Sequence, residues 1–286
     1  MARRSPATLP RVARYRLTIA YDGTDFVGWQ KQEPPDPNAL PDPETGERPR
    51  AELRTVQAVV ERAVREAVRE PVVLIGASRT DSGVHAWHQT GAFTCADDRR
   101  GAPDDRLLQA INARLPDDVL LRACVRIRDD FDPIGDCIAK GYRYTVHASP
   151  ERPLWDRRFV YHSWHAPNDT DAMAHAAALF VGTHDFAAFA ASGHGRESTV
   201  RTVHSCTVAR PTPERVEVHI AADGFLWNMV RIIAGTLVEV GRGRLSADDI
   251  RAALDTRDRR RAGPTLPPQG LCLMWARYPG DDEQHP

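Results

Sequence analysis

The sequence predicts an α+β fold in which one order of elements, strand, helix, strand, strand, helix, strand, is used twice. Three observations carry this. Segments with apolar residues at every second position mark half-buried strands, stretches with apolar residues at helical spacing lie between them, and turn residues separate the two. That order is the ferredoxin-like (βαββαβ) one. Two such units can join a mixed, mainly antiparallel sheet with helices on one side and a cleft on the other. A chain of 286 residues is long enough for both.

Taken in order, Tyr15 to Tyr21 alternates as a strand and Asp22-Gly23 supplies a turn. Residues 34–50, rich in proline and acids and poor in apolar residues, are expected to be a mobile loop. From Thr55 to Arg69, Val56, Val59, Val60, Ala63, Val64 and Ala67 share one helical face, and Pro71 ends the helix. A strand from Val72 to Ile75, a turn and a strand from Gln89 to Cys95 follow. Asp104 opens a helix to about Arg114, and Asp117 to Ile127 is a strand.

The second half repeats the order. Tyr142 to Val146 is a strand, Asp169 opens a helix to Phe180, and strands Val203 to Arg210 and Val216 to Ala221 flank a turn at Pro211. A helix from Leu226 to Val240 and a strand from Leu271 to Ala276 complete it. The expected domains are residues 12–130 and 138–279.

Bulk properties exclude several classes. No apolar run nears the roughly 20 residues of a membrane helix, and Met1 to Leu9 is too short and polar for a signal peptide, so a cytoplasmic protein is expected. Cys95, Cys124, Cys137, Cys206 and Cys272 are scattered, which predicts reduced, buried thiols and neither zinc nor disulfides. His85 and His88 have no third ligand nearby, so no metal is expected, and the absence of a phosphate-loop motif argues against a nucleotide cofactor. The net charge of -1 still allows a local basic patch to hold nucleic acid.

Four stretches carry chemistry. In Ala77 to Ala86, Arg79 and Asp81 are two residues apart and leave an extended segment on one face, while Gly83 lets the chain turn behind them. A carboxylate beside a guanidinium stays ionised, as a nucleophile or general base requires. In Lys140-Gly-Tyr-Arg-Tyr144, both tyrosines share a face opposite Arg143, with Tyr144 expected in the core. Arg231 stands alone among apolar residues between Gly224 and Gly235 and needs a partner for its charge. Arg257 to Arg261, containing Arg259, Arg260 and Arg261, is a basic cluster running into the stiff loop Ala262 to Pro268.

The string Arg79-Thr-Asp-Ser-Gly-Val-His85 resembles the signature of the TruA family of tRNA pseudouridine synthases. Tyr21-Asp-Gly with Gly28-Trp-Gln, Thr55-Val-Gln, Gly182-Thr-His-Asp-Phe, Asn228-Met-Val-Arg and Ala262-Gly-Pro-Thr are similar to further family segments in the same order. The chain departs from the family pattern at Ile134-Gly135 and Lys140-Gly141, and residues 34–50, between the Gly28-Trp-Gln and Thr55-Val-Gln segments, look like an insertion relative to it. The resemblance implies isomerisation of uridine to pseudouridine at positions 38, 39 and 40 of the tRNA anticodon stem-loop, by a homodimer without metal or cofactor. By the same resemblance Asp81 is the nucleophile, Tyr142 sits over the target base and Arg231 faces the carboxylate. Arg79 is placed to fill the gap left by the flipped base, and Arg259, Arg260 and Arg261 can track phosphates. A non-catalytic RNA-binding module of the same fold would have favoured loss of Asp81, Tyr142 or Arg231. A carboxylate N-glycosidase calls for a second acid that is not evident.

Overall fold

The computed structural model describes residues 11–165, 169–191, 193 and 197–281; residues 1–10, which bear on the signal-peptide reading, lie outside it. It is mixed α+β, with five α-helices among the described residues. Contacts divide it into two units. The first holds the chain to Tyr21, Trp29–Arg79 and Gln89–Asp136; the second holds Asp22–Gly28, Thr80–His88 and the chain from Cys137 onward. The turn bearing Asp81 thus belongs by its contacts to the second unit.

The first unit runs β1 (Val12–Tyr21), α1 (Val56–Val68), β2 (Ile75–Gly76), β3 (His85–Ala96), α2 (Asp104–Asn112) and β4 (Val119–Ile127), with Gln89 onward of β3 in this unit. Its strands lie in the order β4, β1, β3, and β2 pairs with β3. Alternation in β1 buries Ala13, Tyr15, Leu17, Ile19 and Tyr21 on one face. Thr55 caps α1 by accepting the Ala58 amide, and the helix turns Val56, Val60, Ala63, Val64 and Ala67 inward. Each buried valine contributes roughly 1.5 to 3 kcal/mol.

The strand expected from Val72 to Ile75 is largely absent as a ladder. Only Ile75 and Gly76 pair with β3, because α1 side chains take the backbone first: Glu61 accepts the Leu74 amide at 3.0 Å and Gln57 donates to the Leu74 carbonyl at 2.6 Å. Residues 34–50 fold back on themselves. Pro35 bridges Arg50, the Asp36 amide donates to Pro49 and that of Asp42 to Glu47, both at 2.7 Å.

The second unit runs β5 (Ala139–Ala148), β6 (Tyr161–Ser163), α3 (Thr170–Ala177), β7 (Gly182–Asp185), β8 (Val200–Thr212), β9 (Arg215–Ala222), α4 (Met229–Gly241), α5 (Ala247–Thr256) and β10 (Leu271–Arg277). Strands follow the order β10, β5, β9, β8, β7, with the start of β3 parallel to β10 and β6 parallel to β5. Tyr144 and Val146 of β5, Val216, Val218 and Ile220 of β9 and Leu273 of β10 are buried, and α3 and α4 pack together.

Sequence patterning missed β6, β7 and α5. Strands β6 and β7 are too short to show alternation, whereas α5 has a legible start, a capping box in which Ser246 and Asp249 each bond the other's amide. Helix α4 begins at Met229 and not at Leu226, because Asn228 adopts the left-handed conformation at φ 61. Gly235 lets the loop after α5 lie against α4: a Cβ there would be 2.0 Å from the Pro264 carbonyl oxygen. The thiols are free, but only Cys95 and Cys206 are buried, since the other three sit at half-covered strand positions and in a loop.

Because the 34–50 arm is exposed, bonds mainly to itself and begins and ends at one bridge, excising residues 36–49 should leave the first unit folded. Thermal unfolding should shift by no more than about 4 °C, the equivalent of about 1 kcal/mol or less. A deletion that aggregates or melts far lower would show that the arm supports the core.

Candidate active site

Asp81 stands at the head of a turn closed by the Val84 amide donating to the Asp81 carbonyl at 3.1 Å. Gly83, at φ 78, occupies the third position, where a positive φ excludes most other residues. The Asp22–Gly28 segment backs this turn. The Gly23 amide donates to His85 Nδ1 at 2.9 Å, and Ser82 Oγ donates to the Phe26 carbonyl at 3.1 Å. His85 is 4 % exposed, its Nε2 has no hydrogen-bond partner among the described residues, and burial pushes its pKa below the usual value. It therefore sits in the wall as a neutral ring, not as a ligand. Among the described residues no three His, Cys, Asp or Glu side chains gather as a metal site.

The cation beside Asp81 is Arg231, whose Nη1 lies 3.7 Å from Asp81 Oδ2. Its orientation is set by the chain around it. Arg231 Nη1 donates to Asn228 Oδ1 and Nε donates to the Leu266 carbonyl, both at 2.6 Å, while the Leu266 amide returns a bond to the Arg231 carbonyl at 3.3 Å. The next carbonyl, Pro267, accepts the Tyr144 hydroxyl at 2.7 Å. Tyr144 is thus a core residue, fully buried, whose phenol braces the loop that holds the arginine.

Two residues entered this site unforeseen. Asn228, by going left-handed, ends the loop before α4 and spends its side chain on Arg231 instead of capping the helix. That leaves Trp227 outside the helix, 48 % exposed, where its indole N–H bonds toward Asp81. The apolar run that contains both looked helical throughout, and only the polar Asn in it hinted at a break.

The expectation that Arg79 holds Asp81 ionised is corrected in two ways. Arg79 is exposed and makes no hydrogen bond or ion pair among the described residues, so the compensating charge comes from α4. Nor is the carboxyl depressed. Burial raises its pKa above the ordinary value, and the Arg231 charge and Trp227 hydrogen bond oppose that without overcoming it. Arg231 in turn is lowered by burial, against the pull of Asp81 and Tyr144, and remains a cation.

Tyr142 is 7 % exposed, with its ring edge-on to Phe225 at 5.0 Å, two residues before Trp227. The basic cluster is not uniform. Arg259 is half-buried and donates to the Gly263 carbonyl at 2.9 Å, stiffening the loop that reaches Leu266; Arg260 pairs with Asp258 at 2.8 Å; Arg261 is exposed. What the arrangement offers chemically is a partly exposed carboxylate, 36 % open at its side chain, fixed against a cation in largely dry surroundings.

Residues 176–279 match a family described as tRNA pseudouridine synthase. The tRNA pseudouridine synthase A of Acetivibrio thermocellus is 41 % identical over 263 residues, which is 92 % of this chain and 98 % of that protein. Those of Pelobacter propionicus, 41 % identical with the same coverage, and Syntrophomonas wolfei, 36 % identical over 95 % of this chain and all of that protein, align comparably.

The raised carboxyl makes Asp81 a cost to folding. The folded state binds its proton more tightly than the unfolded chain, so this penalty is absent below the unfolded value near 3.8 and fully present above the raised folded value. Asp81→Asn should therefore melt at or above the wild-type temperature at pH 7, with the gap closing as pH falls toward 4. A lower melting temperature at pH 7 would mean that the ion pair with Arg231 stabilises the fold.

Proposed function

The chain belongs to the tRNA pseudouridine synthase A family and is a tRNA-modifying isomerase, and from that premise we propose that it converts uridine to pseudouridine at positions 38, 39 and 40 of the anticodon stem-loop, with Asp81 as nucleophile. The observation that supports the role of Asp81 most directly is its position 3.7 Å from an arginine that is itself bonded to Asn228 and to the Leu266 carbonyl. A carboxylate that costs stability persists where it is used.

The reaction breaks the bond between C1′ and N1, turns the freed uracil and rejoins it through C5, which then loses its proton. No electrons are gained or lost, so one carboxylate and a proton acceptor suffice. Asp81 adds to C6, attacks C1′ or takes a proton from C2′; each route needs it ionised, and Arg231 and Trp227 favour that form. Tyr142 stacks on the base and its hydroxyl handles the C5 proton. The base must first leave its stack at a cost of a few kcal/mol, and Arg79, exposed and uncommitted among the described residues, fills the gap. Arg259 stiffens the loop, and Arg261 with the exposed Arg260 meets phosphates.

The neighbour orders β4, β1, β3, β2 and β10, β5, β9, β8 support reading each unit as ferredoxin-like, with the fourth strand beside the first and the second beside the third; in the second unit β7 adds one strand beyond β8. The resemblance further supports a homodimer acting in the cytoplasm without metal or nucleotide cofactor. No helix among the described residues is long and apolar enough to cross a membrane.

Tritium release from C5-labelled unmodified tRNA, run beside filter binding, tests the assignment. Asp81→Asn should abolish release while tRNA affinity stays within about tenfold, because phosphate contacts carry most of the binding. Tyr142→Phe should slow release and leave binding intact. Arg231→Met should move the acidic limb of the rate profile to higher pH, since Asp81 then lacks its cation. Appreciable release by Asp81→Asn would leave an RNA-binding fold whose chemistry lies elsewhere.

A further inference from the structure

The connection from β5 to β6 puts large apolar side chains into solvent: Leu154 is 64 % exposed, Trp155 88 % and Phe159 49 %. Single exposed apolar residues are ordinary, but a grouped set led by an almost bare indole marks a surface that meets something. Arginines interleave with it. Arg152, Arg157 and Arg158 are all exposed, and Arg152 and Arg157 have no acidic partner among the described residues, the latter donating only to the Leu154 carbonyl at 2.9 Å. Of the two acids in the segment, Asp156 is engaged by Arg215, which leaves Glu151.

This loop is tied to the wall of the catalytic turn. Arg158 lies 3.5 Å from Asp22 and 3.4 Å from Asp25, both in the segment behind Asp81, and the Phe159 ring is 4.9 Å from that of His85. An RNA whose target base reaches Asp81 passes close to it. Aromatic rings set among unpaired arginines suit single-stranded nucleic acid, because every base has a face to stack and every linkage a phosphate to neutralise. The same residue types also suit a protein surface, and what favours RNA is the tie of this loop to the segment behind Asp81.

We propose that residues 151–159 form a stacking platform for unpaired tRNA bases beside the target uridine, with a base on the Trp155 ring and neighbouring phosphates on Arg152 and Arg157. The platform rests on tRNA being the substrate. It explains why an indole is left in water, and it assigns Arg158 to anchoring and not to contact.

The test uses the full chain and an unmodified tRNA transcript, with pseudouridine formation by the wild type measured first, so that a wrong substrate is detected separately. Trp155→Ala should raise KM for tRNA roughly 5- to 100-fold, with a smaller effect on kcat, and Trp155→Phe should recover most of it. The quenching of tryptophan fluorescence by tRNA should shrink in Trp155→Phe, a readout independent of turnover. Arg152→Gln with Arg157→Gln should lower the salt slope of binding by about 0.7 for each phosphate that is no longer neutralised. Unchanged KM and unchanged quenching in the Trp155 variants would overturn the platform. So would a Trp155→Ala protein that sediments as a smaller species yet binds tRNA with wild-type affinity, since the loop would then face a second copy of this chain.

Discussion

A carboxylate taken partly out of water must be compensated where it stands, and the second unit is arranged around that requirement at Asp81. Compensation comes from one guanidinium, and a guanidinium compensates only if it is held still. Arg231 is held by an amide oxygen at Asn228 and a carbonyl at Leu266, and the loop that supplies the carbonyl is itself braced by the Tyr144 phenol and by contact with α4 at Gly235. Each of these contacts answers a local question of burial or hydrogen bonding. Together they leave Arg231 little freedom to turn away from the carboxylate.

The compensation is incomplete. Burial outweighs the Arg231 charge and the Trp227 hydrogen bond, so the carboxyl is harder to ionise than a free one. The backing segment Asp22–Gly28 keeps the turn from relaxing toward water, through the Gly23 bond to a neutral His85 and the Ser82 bond to Phe26.

Much of this was legible in sequence where the signal is local. The alternation of β1, the apolar face of α1 and the turn chemistry of Asp81-Ser-Gly depend on neighbours a few residues away, so pattern alone finds them. Local signals also misled. Val72 to Ile75 has strand composition, yet Gln57 and Glu61 from α1 compete for its backbone; Leu226 to Asn228 has helix composition, yet Asn228 goes left-handed. In both cases a polar side chain overrode a propensity worth only tenths of a kcal/mol per residue.

By itself, then, the sequence determined the elements with strong periodicity, the string around Asp81, and the fact that Arg231 needed a partner. Spacing in the chain put Arg79 beside Asp81 and the family resemblance put Arg231 there; tertiary structure decided between the two cations in favour of Arg231, because only folding brings such distant residues together. The same holds for Trp227, Asn228, Leu266 and Tyr144, whose roles lie in contacts between distant segments. It holds for the titration of Asp81 as well, since the cost of burying a charge depends on how much water the whole fold excludes, a quantity no stretch of residues carries alone.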